Sequence, residues 1–208
     1  MIALRGLAPF TAPSATRTRS PSEAICELCA SPLGAHHRHV VEIGVRGVQC
    51  TCQACAILFS RSDSETRFRT VPDRVLGDPA FAMTTSRWVE LGIPVGLAFC
   101  FFDSASGHAV ISYPGPAGVT EAELEPAVWE AIVAATPLAA QLERDVEAIL
   151  VHGERGAPTM ACYLVPISSA YELAGRLRTC WRGFSGGDEA AREIAAFFAD
   201  LDRRGGVK

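Results

Sequence analysis

The feature that most constrains this chain is a pair of Cys-x-x-Cys units, Cys26 with Cys29 and Cys52 with Cys55, with 22 residues between Cys29 and Cys52. Each unit is a tight turn that offers two sulfurs to one ion. Two such units at this separation match the four-thiolate pattern of zinc ribbons and rubredoxin-like knuckles. Closing the intervening loop costs about 3 kcal/mol of chain entropy. A structural zinc site contributes about 10 to 16 kcal/mol in small peptides at neutral pH, so metal binding can order this segment without a large apolar core. The expected metal ligands are therefore Cys26, Cys29, Cys52 and Cys55. The expected cofactor is zinc, with iron the alternative, because tetrahedral four-sulfur sites suit both ions. Iron knuckles usually read Cys-Pro-x-Cys-Gly, and "CELCA" and "CQACA" have neither the Pro nor the Gly, which favours zinc.

The stretch from Cys26 to Cys55 holds five of the eight cysteines and three of the five histidines, so some of these residues need a second account. Cys50 lies two residues before Cys52 and could replace one thiolate. His37 and His39, in "HHRH" (His36 to His39), share one face of a strand. They could form a second site with Cys50, replace a knuckle cysteine, or stand as solvated residues, one of them donating a hydrogen bond to a thiolate. The last reading is preferred here, since a fully thiolate site is complete without them.

Composition narrows the class. A hydrophobic fraction of 49% places the chain among globular proteins. A net charge of −4, with a single lysine at position 208, argues against a nucleic-acid partner, because phosphate contacts need concentrated Lys and Arg. The longest apolar run, "GIPVGLAFCFF", is 11 residues and too short to span a bilayer. The first 22 residues read as a flexible leader rich in Ser, Thr, Pro and Arg, without the apolar core of a secretory signal. A cytoplasmic location is expected, where paired cysteines indicate metal rather than disulfides.

The expected organisation is a leader over 1–22, a metal-knuckle module with its connection over 23–80, and an α+β domain over 81–208. In the module, "AILF" is expected to pack the knuckles onto the body, "SRSDSE" is a polar loop and "RFRTV" a short strand. In the body, "TTSRWVEL" reads as a short helix capped by Thr84 or Thr85. Strands are expected near 94–102, 108–113, 145–152 and 159–166, the first pair turning in "SASG" and the second in "ERGA". Thr120 and Glu123 have capping-box spacing for a helix that stops at Pro137, with Pro126 starting a further turn. Ser169 and Glu172 have the same spacing for a second helix. The last helix aligns Ile194, Phe197, Phe198 and Leu201, with Ser185 or Asp188 as its cap. The resulting ββα-ββαα order predicts an antiparallel or mixed sheet of about four strands with helices on one face.

No dinucleotide fingerprint, P-loop or nucleophile elbow is present, so a non-catalytic role is favoured over an enzyme. In "CWRGFSGGDE", Arg182 with the backbone N–H groups of Gly186 and Gly187 could hold an anion. The preferred reading is a helix connection with Trp181 and Phe184 packed inward.

Taken together, "CELCASPLGAHHRHV", "CTCQACAILF", "IPVGLAFCFF", "CYLVPISSAYELAGRLR" and "WRGFSGG" resemble an uncharacterised, largely actinobacterial family encoded beside high-affinity nickel–iron hydrogenases. The resemblance implies an accessory or assembly role with hydrogenase subunits or maturation factors as partners, or a rubredoxin-like iron electron carrier as the alternative. It carries Cys26, Cys29, Cys52 and Cys55 as metal ligands and His37 and His39 as a motif of unknown purpose.

Overall fold

A computed structural model describes residues 24–60, 67–93, 95–115, 118–153, 157–183 and 186–206. The expected leader, the "SRSDSE" loop beyond its first serine, Glu154–Gly156 of the "ERGA" turn, and Phe184 and Ser185 lie outside the described residues.

Two antiparallel sheets carry the chain. The smaller consists of β1 (Arg38–Glu42), β2 (Gly47–Thr51) and β3 (Phe68–Thr70) in the order β2-β1-β3. A short helix α1 (Gln53–Leu58) follows β2. The larger sheet has six strands: β4 (Leu76–Gly77), β5 (Leu97–Asp103), β6 (His108–Gly115), β7 (Gly118–Glu123), β8 (Glu147–His152) and β9 (Ala161–Pro166), in the order β4-β9-β8-β5-β6-β7. Its helices are α2 (Thr85–Glu90), α3 (Pro126–Ala135), a 3-10 helix (Pro137–Gln141), α4 (Ile167–Cys180) and α5 (Gly187–Gly205). The protein is thus a mixed α+β structure with antiparallel sheets.

The sheet is wider than the repeat predicts, and it is covered on both faces. Along β5 the alternation sends Leu97, Phe99 and Phe101 to one face, where they meet Leu173, Ala174 and Leu177 of α4 and Ala190, Phe198 and Leu201 of α5. Ala98 and Cys100 point the other way, against Trp88 of α2, Ile132 of α3 and Leu138. The small side chains on that second face permit close helix approach, so helices occupy both sides rather than one.

The strand β7 replaces the front of an expected helix. Thr120 and Glu123 pair with β6 as Tyr113↔Thr120 and Val110↔Glu123, so their capping-box spacing is not used. The helix α3 starts at Pro126, because a proline drives the preceding residue to extended backbone, and Glu125 takes φ −56 and ψ 137. The exposed Thr and Glu of β7 sit on a sheet edge, where charge discourages further strand pairing. The helix α4 likewise begins two residues before Ser169, with no side-chain cap. Its first N–H, on Ile167, donates to Val146 O at 3.0 Å across to the neighbouring chain segment, which satisfies a donor that a cap would otherwise serve. Of the two expected caps of α5, Ser185 lies outside the described residues and Asp188 lies in the first turn; the cap residue is Gly186 at φ 90. Thr84 does cap α2, accepting from Arg87 N at 3.1 Å.

The small sheet joins the same core as α4 and α5. Val41, Val71 and Val75 are buried in that cluster, with Ile43 and Val48 packed against it. These valines and Ile43, rather than "AILF", make the contact. Ile57 and Leu58 are 58% and 72% exposed, while Phe59 lies 5.2 Å from the Phe68 ring within the small module. Ion pairs reinforce the join. Arg69 donates to Arg144 O at 2.8 Å and to Asp145 Oδ2 at 3.3 Å. Arg74 donates to both carboxylate oxygens of the fully buried Glu147, at 2.6 and 2.7 Å.

Candidate metal centre

The first knuckle is a closed turn at the base of a minimal hairpin. Cys26 N donates to Ser31 O at 2.8 Å, Ala30 N donates to Cys26 O at 2.8 Å, and Ile25 bridges Pro32. Ala30 stands just after Cys29 at φ 59, in the left-handed region that glycine prefers. The second knuckle begins a helix. Cys52 is the N-cap of α1, its sulfur accepts from Cys55 N at 3.5 Å, and Cys55 lies in the first turn, buried. The β1–β2 hairpin between the knuckles folds one back onto the other.

This arrangement brings Cys26, Cys29, Cys52 and Cys55 together, their sulfurs all within 4.8 Å of one another. Cys29 Sγ and Cys52 Sγ are 3.7 Å apart. Two sulfurs bonded to zinc at about 2.3 Å in a tetrahedron stand about 3.8 Å apart, so this edge already has the spacing of a bound ion. The donor set fits a closed four-thiolate site for zinc, and equally one for iron.

The thiols are electrostatically unequal. Burial pushes Cys26 up, but backbone N–H groups at Cys52, Cys29 and Leu28 outweigh it and hold the thiol down at about 6. The Ser31 hydroxyl, hydrogen-bonded to Cys29 at 3.2 Å, lowers that thiol. Cys55 is pushed up to about 12, first by its hydrogen bond to Cys29 and then by burial. The cluster therefore holds a proton more tightly at Cys55 than at Cys26. A divalent cation would displace that proton and share all four sulfurs.

Glu27, between the two cysteines of "CELC", is a residue that spacing did not single out. Its N–H donates to Cys50 O at 2.9 Å and its carboxylate accepts from Cys50 N at 2.5 Å, so the first knuckle grips both sides of the Cys50 peptide. An acidic residue inside a Cys-x-x-Cys turn was the available signal. Cys50 itself does not enter the four-sulfur cluster; it lies with His37 and His39 in a separate group, whose ligand atoms are also within 4.8 Å of one another. Burial and then the neighbouring His37 push His39 below the ordinary imidazole range. Burial and the Glu27 charge raise the Cys50 thiol.

The remaining cysteines are core residues. Cys100 and Cys162 are buried on the α2–α3 side of the large sheet, and burial pushes Cys162 up to about 12 and Cys100 further in the same direction. Neither is poised as a nucleophile. In the loop before α5, Arg182 N donates to Gly186 O at 2.9 Å and the guanidinium donates to Trp181 O at 3.1 Å.

Among the described residues no helix is long and apolar enough to cross a membrane. The model of a family of unknown function, DUF5947, matches residues 25–205. No curated protein and no solved structure matches the chain.

Proposed function

The chain belongs to the DUF5947 family of unknown function, and from that premise we propose that it is a zinc-binding accessory protein that docks a protein partner in the assembly or service of a nickel–iron hydrogenase, and does no chemistry at its four-cysteine centre. The observation that carries the reading is the closed set of four sulfurs on two knuckles, which leaves no coordination position for a substrate. The ion's role is then to order residues 24–60 as a zinc-ribbon-like module against the body.

The partner half of the reading is supported by surface chemistry beside the centre. The helix that carries Cys55 ends in Ile57 and Leu58, apolar and 58% and 72% exposed. Exposed large side chains next to a rigid metal knuckle suit protein contact. The hydrogenase setting comes from the sequence resemblance alone. Affinity purification from cells expressing the hydrogenase is expected to recover its subunits or maturation proteins, and Ile57→Glu with Leu58→Glu is expected to abolish that recovery without loss of metal. Normal hydrogenase activity and cofactor loading after deletion, with no hydrogenase component recovered, would overturn the assignment.

A second reading, an iron-loaded electron carrier, is favoured by one feature: Cys29 is exposed, and an exposed ligand suits electron exchange at a surface. A red, reversibly bleached protein would support it. A colourless protein with stoichiometric zinc rejects it.

A further inference from the structure

His37, His39 and Cys50 form a cluster that the four-cysteine centre does not use, and the sheet register explains why they meet. His39 and Cys50 are cross-strand partners on β1 and β2. The His39 carbonyl accepts from Val71 N, while both polar groups of the Cys50 peptide face Glu27. The pair therefore exchanges no backbone hydrogen bonds, and this is the antiparallel pair type in which side chains come closest. His37 is two residues before His39 and on the same face, with ring centroids 4.9 Å apart. The next cross-strand pair on that face, Val41↔Val48, enters the core. The three ligand-type side chains thus stand at the margin of the core, each half-buried.

The hydrogen bonding of His37 is that of a metal ligand. Its Nδ1 lies 3.1 Å from Gly34 O. A carbonyl can only accept, so Nδ1 carries a proton, and in the neutral imidazole Nε2 then presents a lone pair. That Nε2 is buried and has no hydrogen-bond partner among the described residues. A backbone carbonyl on one ring nitrogen with the other left bare is the pattern by which proteins orient a ligating imidazole.

We propose that His37, His39 and Cys50 bind a second divalent cation, zinc by ligand chemistry, in a three-ligand site whose fourth position is open to solvent or an exogenous anion. Two imidazoles and one thiolate suit zinc and its late first-row neighbours, and three protein ligands with one exchangeable position distinguish this site from the closed one. Because Glu27 of the first knuckle grips the Cys50 peptide, loading of the four-cysteine centre fixes Cys50 before the second ion arrives. The second ion is the last to load and the first to leave.

The test is anaerobic Co2+ titration of the reduced, metal-free full chain. Wild-type protein is expected to bind two Co2+ per chain. The first equivalent should show the intense thiolate-to-cobalt absorption of four sulfurs, and the second an increment about a quarter as large. His37→Ala and Cys50→Ala should each bind one, with the four-thiolate spectrum unchanged, and that spectrum also certifies that the variants fold. Azide should perturb the visible bands of doubly loaded wild-type protein and not those of Cys50→Ala. A wild-type stoichiometry of one overturns the proposal whatever the variants do, as does a second equivalent that survives in both variants. An azide-insensitive second ion overturns the open position.

Discussion

Replacing Arg74 by Met should loosen the join between the three-stranded sheet and the body, by an amount the structure sets. Arg74 lies in the connection between β3 and β4, and its guanidinium donates through Nε and Nη2 to the two oxygens of Glu147 at 2.6 and 2.7 Å. Glu147 begins β8 at 0% exposure, and its only other described side-chain hydrogen bond is from Glu143 N at 2.9 Å. Removing Arg74 strips a buried carboxylate of two charge-assisted hydrogen bonds, each worth about 1.5 to 3 kcal/mol. Breaking a buried pair from one side costs about 3 to 5 kcal/mol. The Arg74 side chain is itself 38% exposed, so water reaches part of the vacated space, and the lower end, about 3 kcal/mol, is expected. At about 2 to 4 °C per kcal/mol for a chain of this size, the melting temperature should fall by about 6 to 12 °C. Urea denaturation of zinc-loaded protein measures the difference, and Arg74→Met combined with Glu147→Leu should recover most of it, since the uncompensated charge is then gone. A single variant within about 0.5 kcal/mol of wild type, folded and metal-loaded, would refute the reasoning.

Chelation of the four-cysteine ion, or Cys29→Ser or Cys52→Ser, should expose residues 24–60 to protease while the six-stranded sheet persists; equal protease resistance throughout would show that the ion is not structural. Ala30→Gly should stabilise the loaded protein by about 1 kcal/mol, because Ala30 occupies φ 59, a conformation glycine adopts without the steric cost of a Cβ; an unchanged urea midpoint would contradict this. Zinc affinity in a competition assay should fall as pH drops from 8 to 5. Cys55, held up at about 12, must release its proton on loading, and Cys26, at about 6, begins to compete for protons only near the bottom of that range. A flat profile would contradict it.

The convergence of Cys26, Cys29, Cys52 and Cys55 was legible in the sequence because a knuckle is local: two sulfurs three residues apart need only a turn to converge. The strands β5, β6, β8 and β9 were legible for the same kind of reason, since their alternation is written within each segment. What the sequence hid lies in pairings between distant residues. The strand β7 is almost wholly exposed, so its Thr and Glu carry no alternation of burial, and the helix-like spacing of Thr120 and Glu123 yields to an edge pairing with β6. The two-residue β4 exists only through its pairing with β9, nearly ninety positions away. That Val41 and Val71, rather than Ile57, join the knuckles to the body depends on which side of the small sheet meets α4 and α5. The separation of Cys50 from the four-sulfur cluster depends on its register opposite His39. Spacing to Cys52 alone left it between the two groups.

X-ray absorption at the zinc edge of the Cys50→Ala variant isolates the four-cysteine centre and tests its identity directly. The expected result is about one zinc per chain with a single shell of four sulfurs at about 2.3 Å and no nitrogen. A mixed nitrogen and sulfur shell would contradict a closed four-thiolate site at Cys26, Cys29, Cys52 and Cys55, and less than about half an equivalent of zinc in protein purified with its native metal would contradict zinc as its ion.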